Sequence, residues 1–292
     1  MAEQLRELVS SELGAPVDPK VGAMAQAIAA EHGAASRAVL FYGSCLREKR
    51  LDGLMLDFYL IVSSYRQAYD KRWLAIANRL VPPNVFYFEM DGLAAKYAVL
   101  SEADFHRECG VDARSTSVAA RFAQPARIAW SADDTARQAV IAAVSRCAPA
   151  LLAWSAPLAP RNASVVELWK RAFQLTFAAE LRAERADRSA LIVESDTERY
   201  RRFGQAALDE PADAPAVEMT RWWKRMQRRG KILSVARLAK AGATFAGGAD
   251  YIAWKISRHS GTSIELKPWQ RRWPLLAGLT LLPRLLRSGA VR

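Results

Sequence analysis

YGSCLREKRLDGLMLDFYLIV, residues 42–62, joins two short apolar runs through a glycine and a charged stretch. Upstream, RAVLFYG (37–43) is rich in strand-forming residues and ends at Gly43-Ser44. Downstream, LMLDFYLIV (54–62) reads as a second strand with one acid embedded in it. Gly43 permits a sharp turn after the first strand and a close approach of backbone to a ligand. Ser44, opening the helix predicted next, offers a hydroxyl beside outward-pointing N–H groups, an arrangement suited to phosphate. Asp57 is flanked by apolar residues, and a carboxylate in such a strand is costly unless it is paired or binds a cation. Mg²⁺ uses one or two carboxylates together with substrate phosphates, so Asp57 is the first candidate metal ligand. The competing reading is an ordinary Gly-Ser turn and a strand-end aspartate.

Working outward, residues 2–13 and 20–31 have helical apolar spacing, and 65–80 return to it with Trp73, Ile76 and Leu80 on one side. NVFYFEM (84–90), the turn Asp91-Gly92 and AAKYAVLS (94–101) read as a hairpin, and ARIAW (126–130) as a further strand. From 132 onward the pattern is helical: 132–147, 164–187, 196–208, then 219–246 and 249–258, with EPADAP (210–215) as a polar break. The expected class is α+β, a mixed sheet with helices followed by an all-helical carboxy-terminal region. The expected units are 1–131, 132–210 and a basic region 219–292.

The 292 residues carry a net charge of +12, and that charge is unevenly placed. Residues 219–292 hold 16 Lys/Arg against 2 Asp/Glu, an excess of 14, whereas 1–218 hold 26 against 28. A basic end beside a neutral body implies a polyanionic partner, nucleic acid or an anionic bilayer; a merely solvated basic face is the alternative. The run Trp273 to Leu286 is 14 residues with two prolines, short of the ~20 a transmembrane helix needs. With Trp269, Trp273, Arg271, Arg272, Arg284 and Arg287 it fits an element lying in a membrane interface, or else a helix packed on the body. Cys45, Cys109 and Cys147 have no paired spacing, and with three histidines they exclude a disulfide framework or a Cys/His zinc site. A reducing cytoplasm is the expected compartment. The amino terminus reads as an amphipathic helix rather than a targeting peptide.

Strand, Gly-Ser, helix, then an acid on the adjacent strand resembles the polymerase-beta-like nucleotidyltransferase superfamily. That pattern has a second acid two residues after the first, where this chain has Tyr59. Asp91 and Asp52 are the local substitutes, although Asp-Gly is more commonly a turn former. The chain is more closely similar to the mitochondrial-type phosphatidate cytidylyltransferases, the translocator assembly and maintenance family. The likeness rests on Tyr42-Gly43-Ser44, Leu56-Asp57-Phe58 without the second acid, Asp91-Gly92 leading to KYAVLS (96–101), and ARFAQPARI (120–128) with Arg121 and Pro125 in register. It is weaker at VARLAKAGATF (235–245), and Cys45 stands where the family has glycine.

The resemblance implies a nucleotidyltransferase-like domain over 1–131 and a Mg²⁺-dependent transfer of CMP from CTP to phosphatidic acid. The products would be CDP-diacylglycerol and pyrophosphate. Gly43 and Ser44 would meet the nucleotide phosphates, Asp57 and Asp91 would be the metal ligands, and Lys96 and Arg121 would neutralise phosphate charge. The expected location is peripheral, on the cytoplasmic side of an anionic membrane such as a bacterial inner membrane, with no nucleic acid as partner. Two alternatives remain open: the same fold acting on RNA or a protein side chain, and a non-catalytic basic protein binding nucleic acid or membrane. WWKRMQRRGK (222–231) would suit stacking on single-stranded nucleic acid, but in a helix Trp222 and Met226 are more often core. Arg182, Arg185 and Arg188 within 179–189, and Lys255, Arg258 and His259 within 247–261, are read as a charged helix face and a helix cap that could also reach a phosphate.

Overall fold

The computed structural model describes residues 2–48, 51, 54–180, 188–208 and 216–244. Asp52, most of the 179–189 segment, the break at 210–215, the 247–261 helix and the 268–292 tail lie outside the described residues. The strands are β1 (Ser36–Tyr42), β2 (Met55–Val62), β3 (Asn84–Met90), β4 (Leu93–Ser101) and β5 (Ala126–Ser131). Two helices, α1 (Ala2–Gly14) and α2 (Pro19–Ala30), precede them. Asp18 caps α2 by accepting from the Lys20 N–H at 2.8 Å, and Pro19 opens its first turn. α3 (Ser44–Glu48) follows β1, α4 (Tyr65–Ala68) and α5 (Arg72–Leu80) follow β2, and α6 (Glu102–Glu108) and α7 (Ser117–Phe122) follow β4. Beyond β5 the described chain is helical: α8 (Asp134–Val144), α9 (Cys147–Ser155), α10 (Val165–Ala178), α11 (Arg188–Glu194), α12 (Thr197–Ala207) and α13 (Ala216–Thr244). The class is α+β.

The five strands form one sheet in the order β3-β4-β2-β1-β5. β2 and β4 are parallel and the other neighbours antiparallel. Alternation along each strand builds two apolar layers. On one face Val39, Phe41, Phe58, Leu60, Tyr97 and Val99 pack against Val21, Met24 and Ile28 of α2. On the other, Leu40, Tyr59, Ile61, Ala98 and Leu100 share a core with α1 and the helices from α6 onward, as far as Trp223 of α13. The helices that follow the sheet therefore complete its core. The stretch Asp134–Leu158 is apolar enough to cross a membrane, yet 61% of its apolar window is buried within the protein; Val140, Val144, Leu151 and Trp154 belong to that core.

Three packing devices set where the long helix α13 runs. Trp223 donates its indole N–H to the Trp154 carbonyl at 2.8 Å, and Trp222 lies against the Trp154 ring at 5.1 Å between centroids. These rings are used in packing, as the core reading of Trp222 expects. Two turns on, a Cβ at Gly230 would stand 2.0 Å from the Ala179 carbonyl oxygen, so the helix crosses the end of α10 at glycine-only distance. Farther on, Arg237 donates to the Pro82 carbonyl at 2.7 Å and Lys240 to the carbonyls of Val81 and Pro83. Met219, Trp223, Gly230, Arg237 and Lys240 follow helical three-and-four spacing, so one stripe changes from apolar to glycine to cationic as it approaches the sheet.

Candidate functional site

Strand register places Lys96, Asp57, Tyr42 and Ala126 in one row across β4, β2, β1 and β5. Directly paired residues project to the same face, here the face shared with Tyr59 and the helices. Apolar side chains fill that face below the row, and polar ones begin at it. Lys96 Nζ lies 2.9 Å from Asp57 Oδ1, with the two side chains 26% and 18% exposed. The carboxylate that the sequence marks as costly is thus partnered, which offsets its desolvation.

Gly43 follows Tyr42 at a φ of 97°, in the region that disfavours side chains. A Cβ there would stand 2.9 Å from Asp57 Oδ2 and 3.4 Å from its Cβ. The glycine therefore does two things: it turns the chain into Ser44 at the start of α3, and it keeps open the space beside the second carboxylate oxygen of Asp57. Ser44 is half-buried at this corner.

Arg121 enters from α7, which is too short and too late in the chain for its position to follow from periodicity alone. Its Nη1 donates to the Tyr59 hydroxyl at 3.1 Å and to Ser117 Oγ at 3.3 Å. Its guanidinium also lies over the rings of Tyr42 and Tyr59, at 5.4 and 5.7 Å from their centroids. Tyr42, Tyr59 and Phe122 hold one another at 5.2–5.8 Å between ring centroids. Burial works against the charge on Arg121, but Tyr59, Tyr42, Glu180 and Asp57 outweigh it and its pKa lies above the ordinary value. Burial pushes the Tyr42 hydroxyl up as well. Tyr59, two residues after Asp57, thus holds an arginine rather than acting as an acid.

The cationic end of α13 completes the surroundings. Arg237 feels burial first, which lowers its pKa, then Tyr59 and Glu180, which raise it, and Arg121, which lowers it. Lys240 is brought down to about 7 by burial and by Arg237. Lys96 pairs with Asp57, Arg121 feels both Asp57 and Glu180, and Arg237 feels Glu180 and Glu108. Lys240, bonded to the carbonyls of Val81 and Pro83, lies toward the Asn84 end of β3, several residues from the row that Lys96 and Asp57 share. Cations beside the opening at Gly43 suit a phosphate-bearing ligand. In the sequence Glu180 reads only as a helix-face partner for arginine and VARLAKAGATF is noted for its lysine, while Arg237 does not stand out. The stripe spacing along α13 is the signal that would have found Arg237.

The remaining expected ligand, Asp91, is not brought to Asp57. It is exposed at the tip of the β3–β4 hairpin with a φ of 51°, followed by Gly92 at 73°, so the pair forms the positive-φ turn such hairpins favour. The strand from Leu93 to Lys96, the partner of Asp57, alone spans ~10 Å, too far for one ion to be shared. Among the described residues no three His, Cys, Asp or Glu side chains gather as a metal-binding group. Asp57 still fits a hard cation with few protein ligands. It offers one carboxylate oxygen beside the opening that Gly43 maintains, and Mg²⁺ completes its shell with water and phosphate oxygens.

No protein-family model matches the chain, and no curated protein matches it in sequence.

Proposed function

We propose that this chain is a nucleotidyltransferase that moves CMP from CTP to phosphatidic acid at an anionic membrane surface, releasing pyrophosphate and forming CDP-diacylglycerol. The observation that carries the reading is the corner made by Gly43, Ser44 and Asp57. A positive-φ glycine opens space beside a strand carboxylate, with Lys96 of β4 paired to that carboxylate and Arg121 of α7 near it. The choice of CTP and of phosphatidic acid rests on the resemblance of Tyr42–Phe58 and the 91–101 and 120–128 segments to the cytidylyltransferases.

In this reading a phosphate oxygen of phosphatidic acid forms a bond to the α-phosphorus of CTP. The bond from that phosphorus to the bridging oxygen breaks, and pyrophosphate leaves with the electron pair. The nucleophile is already an anion, so the protein has no proton to remove; its work is positioning and charge neutralisation. Ser44 donates its hydroxyl to the leaving phosphates. Lys96 and Arg121 meet the negative charge on the sheet side, Arg121 held by Tyr59 so that it needs little reorganisation. Arg237 adds charge from α13, close to Tyr59 and Arg121. Asp57 would hold Mg²⁺, which when bound would neutralise charge on the transferring phosphates.

Pyrophosphate release from CTP in the presence of Mg²⁺ and phosphatidate vesicles tests these roles. Asp57→Asn should lower the rate ~10²-fold or more, with circular dichroism unchanged. A variant as active as the wild-type protein would remove Asp57 from the chemistry.

A further inference from the structure

α5 is built with its polarity reversed. Asn78 is fully buried, its amide donating to the Val99 carbonyl at 3.0 Å and its oxygen accepting from the Asn84 backbone N–H, while Asn84 donates to the Leu74 carbonyl at 3.0 Å. That polar anchor fixes the helix on the sheet edge with Leu74 and Ala75 turned inward. The large apolar residues point the other way: Trp73 is 47% exposed, Ile76 59% and Leu80 71%. At spacings of three and four they form one stripe. A helix held by a buried asparagine, with tryptophan, isoleucine and leucine in solvent, is explained by a partner covering that stripe.

The charges around the stripe identify the partner. Lys71, Arg72 and Arg79 are exposed beside it, and Arg66 is exposed one element earlier. Asp70 is the one acid between 66 and 80. α13, whose Arg237 and Lys240 bond to the carbonyls of residues 81–83 just past Leu80, adds exposed Ile232 and Val235 within two turns of Arg237. Its exposed Arg221, Lys224, Arg225, Arg228, Arg229 and Lys231 stand against one acid on the same helix, Glu218 in its first turn. Apolar side chains including a tryptophan, rimmed by cations, match the interface of an anionic bilayer.

We infer that the Trp73–Ile76–Leu80 face of α5 docks on anionic phospholipid. This surface is separate from the 268–292 tail and from the Asp57 corner. The inference shares with the proposed function only the expectation of an anionic membrane, and it holds whatever acceptor the site uses.

The test uses the full chain with Ile76→Cys carrying an environment-sensitive fluorophore; Cys45, Cys109 and Cys147 are buried, so labelling is selective. Adding phosphatidylglycerol-containing vesicles should shift the emission to the blue, and phosphatidylcholine vesicles should not. In sedimentation with the same anionic vesicles, Trp73→Gln combined with Ile76→Gln and Leu80→Gln should weaken binding ~tenfold or more. Asp57→Asn should leave both readouts unchanged even as it stops nucleotide transfer, so failure of one reading is distinguishable from failure of the other. The inference is overturned by equal shifts on both vesicle types or by no shift on either. It is overturned equally by an emission already blue in vesicle-free buffer, which would mean that a second copy or the chain's own carboxy-terminal residues cover the face.

Discussion

Replacing Gly230 by alanine tests whether α13 is seated as described. In an unobstructed helix the change is favourable by ~1 kcal/mol, because alanine is the better helix former. Here the new methyl carbon would stand 2.0 Å from the Ala179 carbonyl oxygen and 3.1 Å from its carbon. Ordinary C···O contacts lie near ~3.3 Å, so the two backbones must separate by more than ~1 Å. The obstacle is a carbonyl, with no rotamer to swing aside. Overpacking of this kind costs ~1–3 kcal/mol. Taking the upper end and subtracting the propensity gain leaves a net loss of ~2 kcal/mol.

Gly22, inside α2, is an internal control, since the nearest atom to its added Cβ is Val17 Cγ2 at 3.9 Å. Gly22→Ala should stabilise by ~0.5–1 kcal/mol. Urea unfolding followed by far-ultraviolet circular dichroism would read both variants, and their shifts should have opposite signs. The consequence reaches the site, because Arg237 lies two turns beyond Gly230 and bonds to Pro82. A Gly230→Ala protein as stable as the wild type, alongside a stabilised Gly22→Ala protein, would refute the close crossing and the placement of Arg237 that depends on it.

Other expectations concern burial and charge. Arg199, 7% exposed, bonds to Glu12 Oε1 at 2.8 Å and to the Ala123 carbonyl at 3.0 Å, tying α12 to α1. Arg199→Met should cost ~3 kcal/mol by stranding Glu12, and Glu12→Leu in the same chain should recover part of that loss; a single-variant loss below ~1 kcal/mol contradicts the pairing. The lowered pKa of Lys240, about 7 against 10.5 unfolded, means that the unfolded chain binds more protons between those values. Stability should therefore rise with pH from about 7 and be lowest on this account below it. Solvent and the carbonyl acceptors retain part of the ammonium's stabilisation, so the rise is ~2 kcal/mol by pH 9.5. Lys240→Met should flatten it, and an unaltered profile in chemical denaturation would sink the assignment.

The parts of the fold that are legible in the sequence are those set by neighbours along the chain. β1 and β2 lie within a residue of the runs read at 37–43 and 54–62, because alternating Val, Leu, Phe and Tyr leave few other conformations. The hairpin is legible because Asp91-Gly92 suits a positive-φ turn, and the same fact explains why Asp91 makes a poor metal candidate. The segment 132–147 reads as one helix, but the chain breaks at Ser145–Arg146 and starts α9 at Cys147. Pro149, in the first turn of α9, lacks the N–H that would bond the Ser145 carbonyl, and so marks the break that the apolar spacing runs through. At the site, Gly43, Ser44, Asp57 and Lys96 meet through strand register, and Lys96 could be paired with Asp57 once β4 was known to lie beside β2. Arg121, Glu180 and Arg237 converge from three separate segments. Arg121 stands out through the motif around it and Glu180 only as a helix-face partner for arginine, since long-range convergence leaves no local period to read.

The measurement that tests the central claim most directly supplies the full chain with Mg²⁺, CTP labelled in its cytidine and phosphatidate vesicles, and follows label in the lipid extract. The proposed function predicts CDP-diacylglycerol formed in step with pyrophosphate, and none when Asp57→Asn replaces the wild-type protein. Intact CTP and unlabelled lipid after prolonged incubation with folded protein would contradict it.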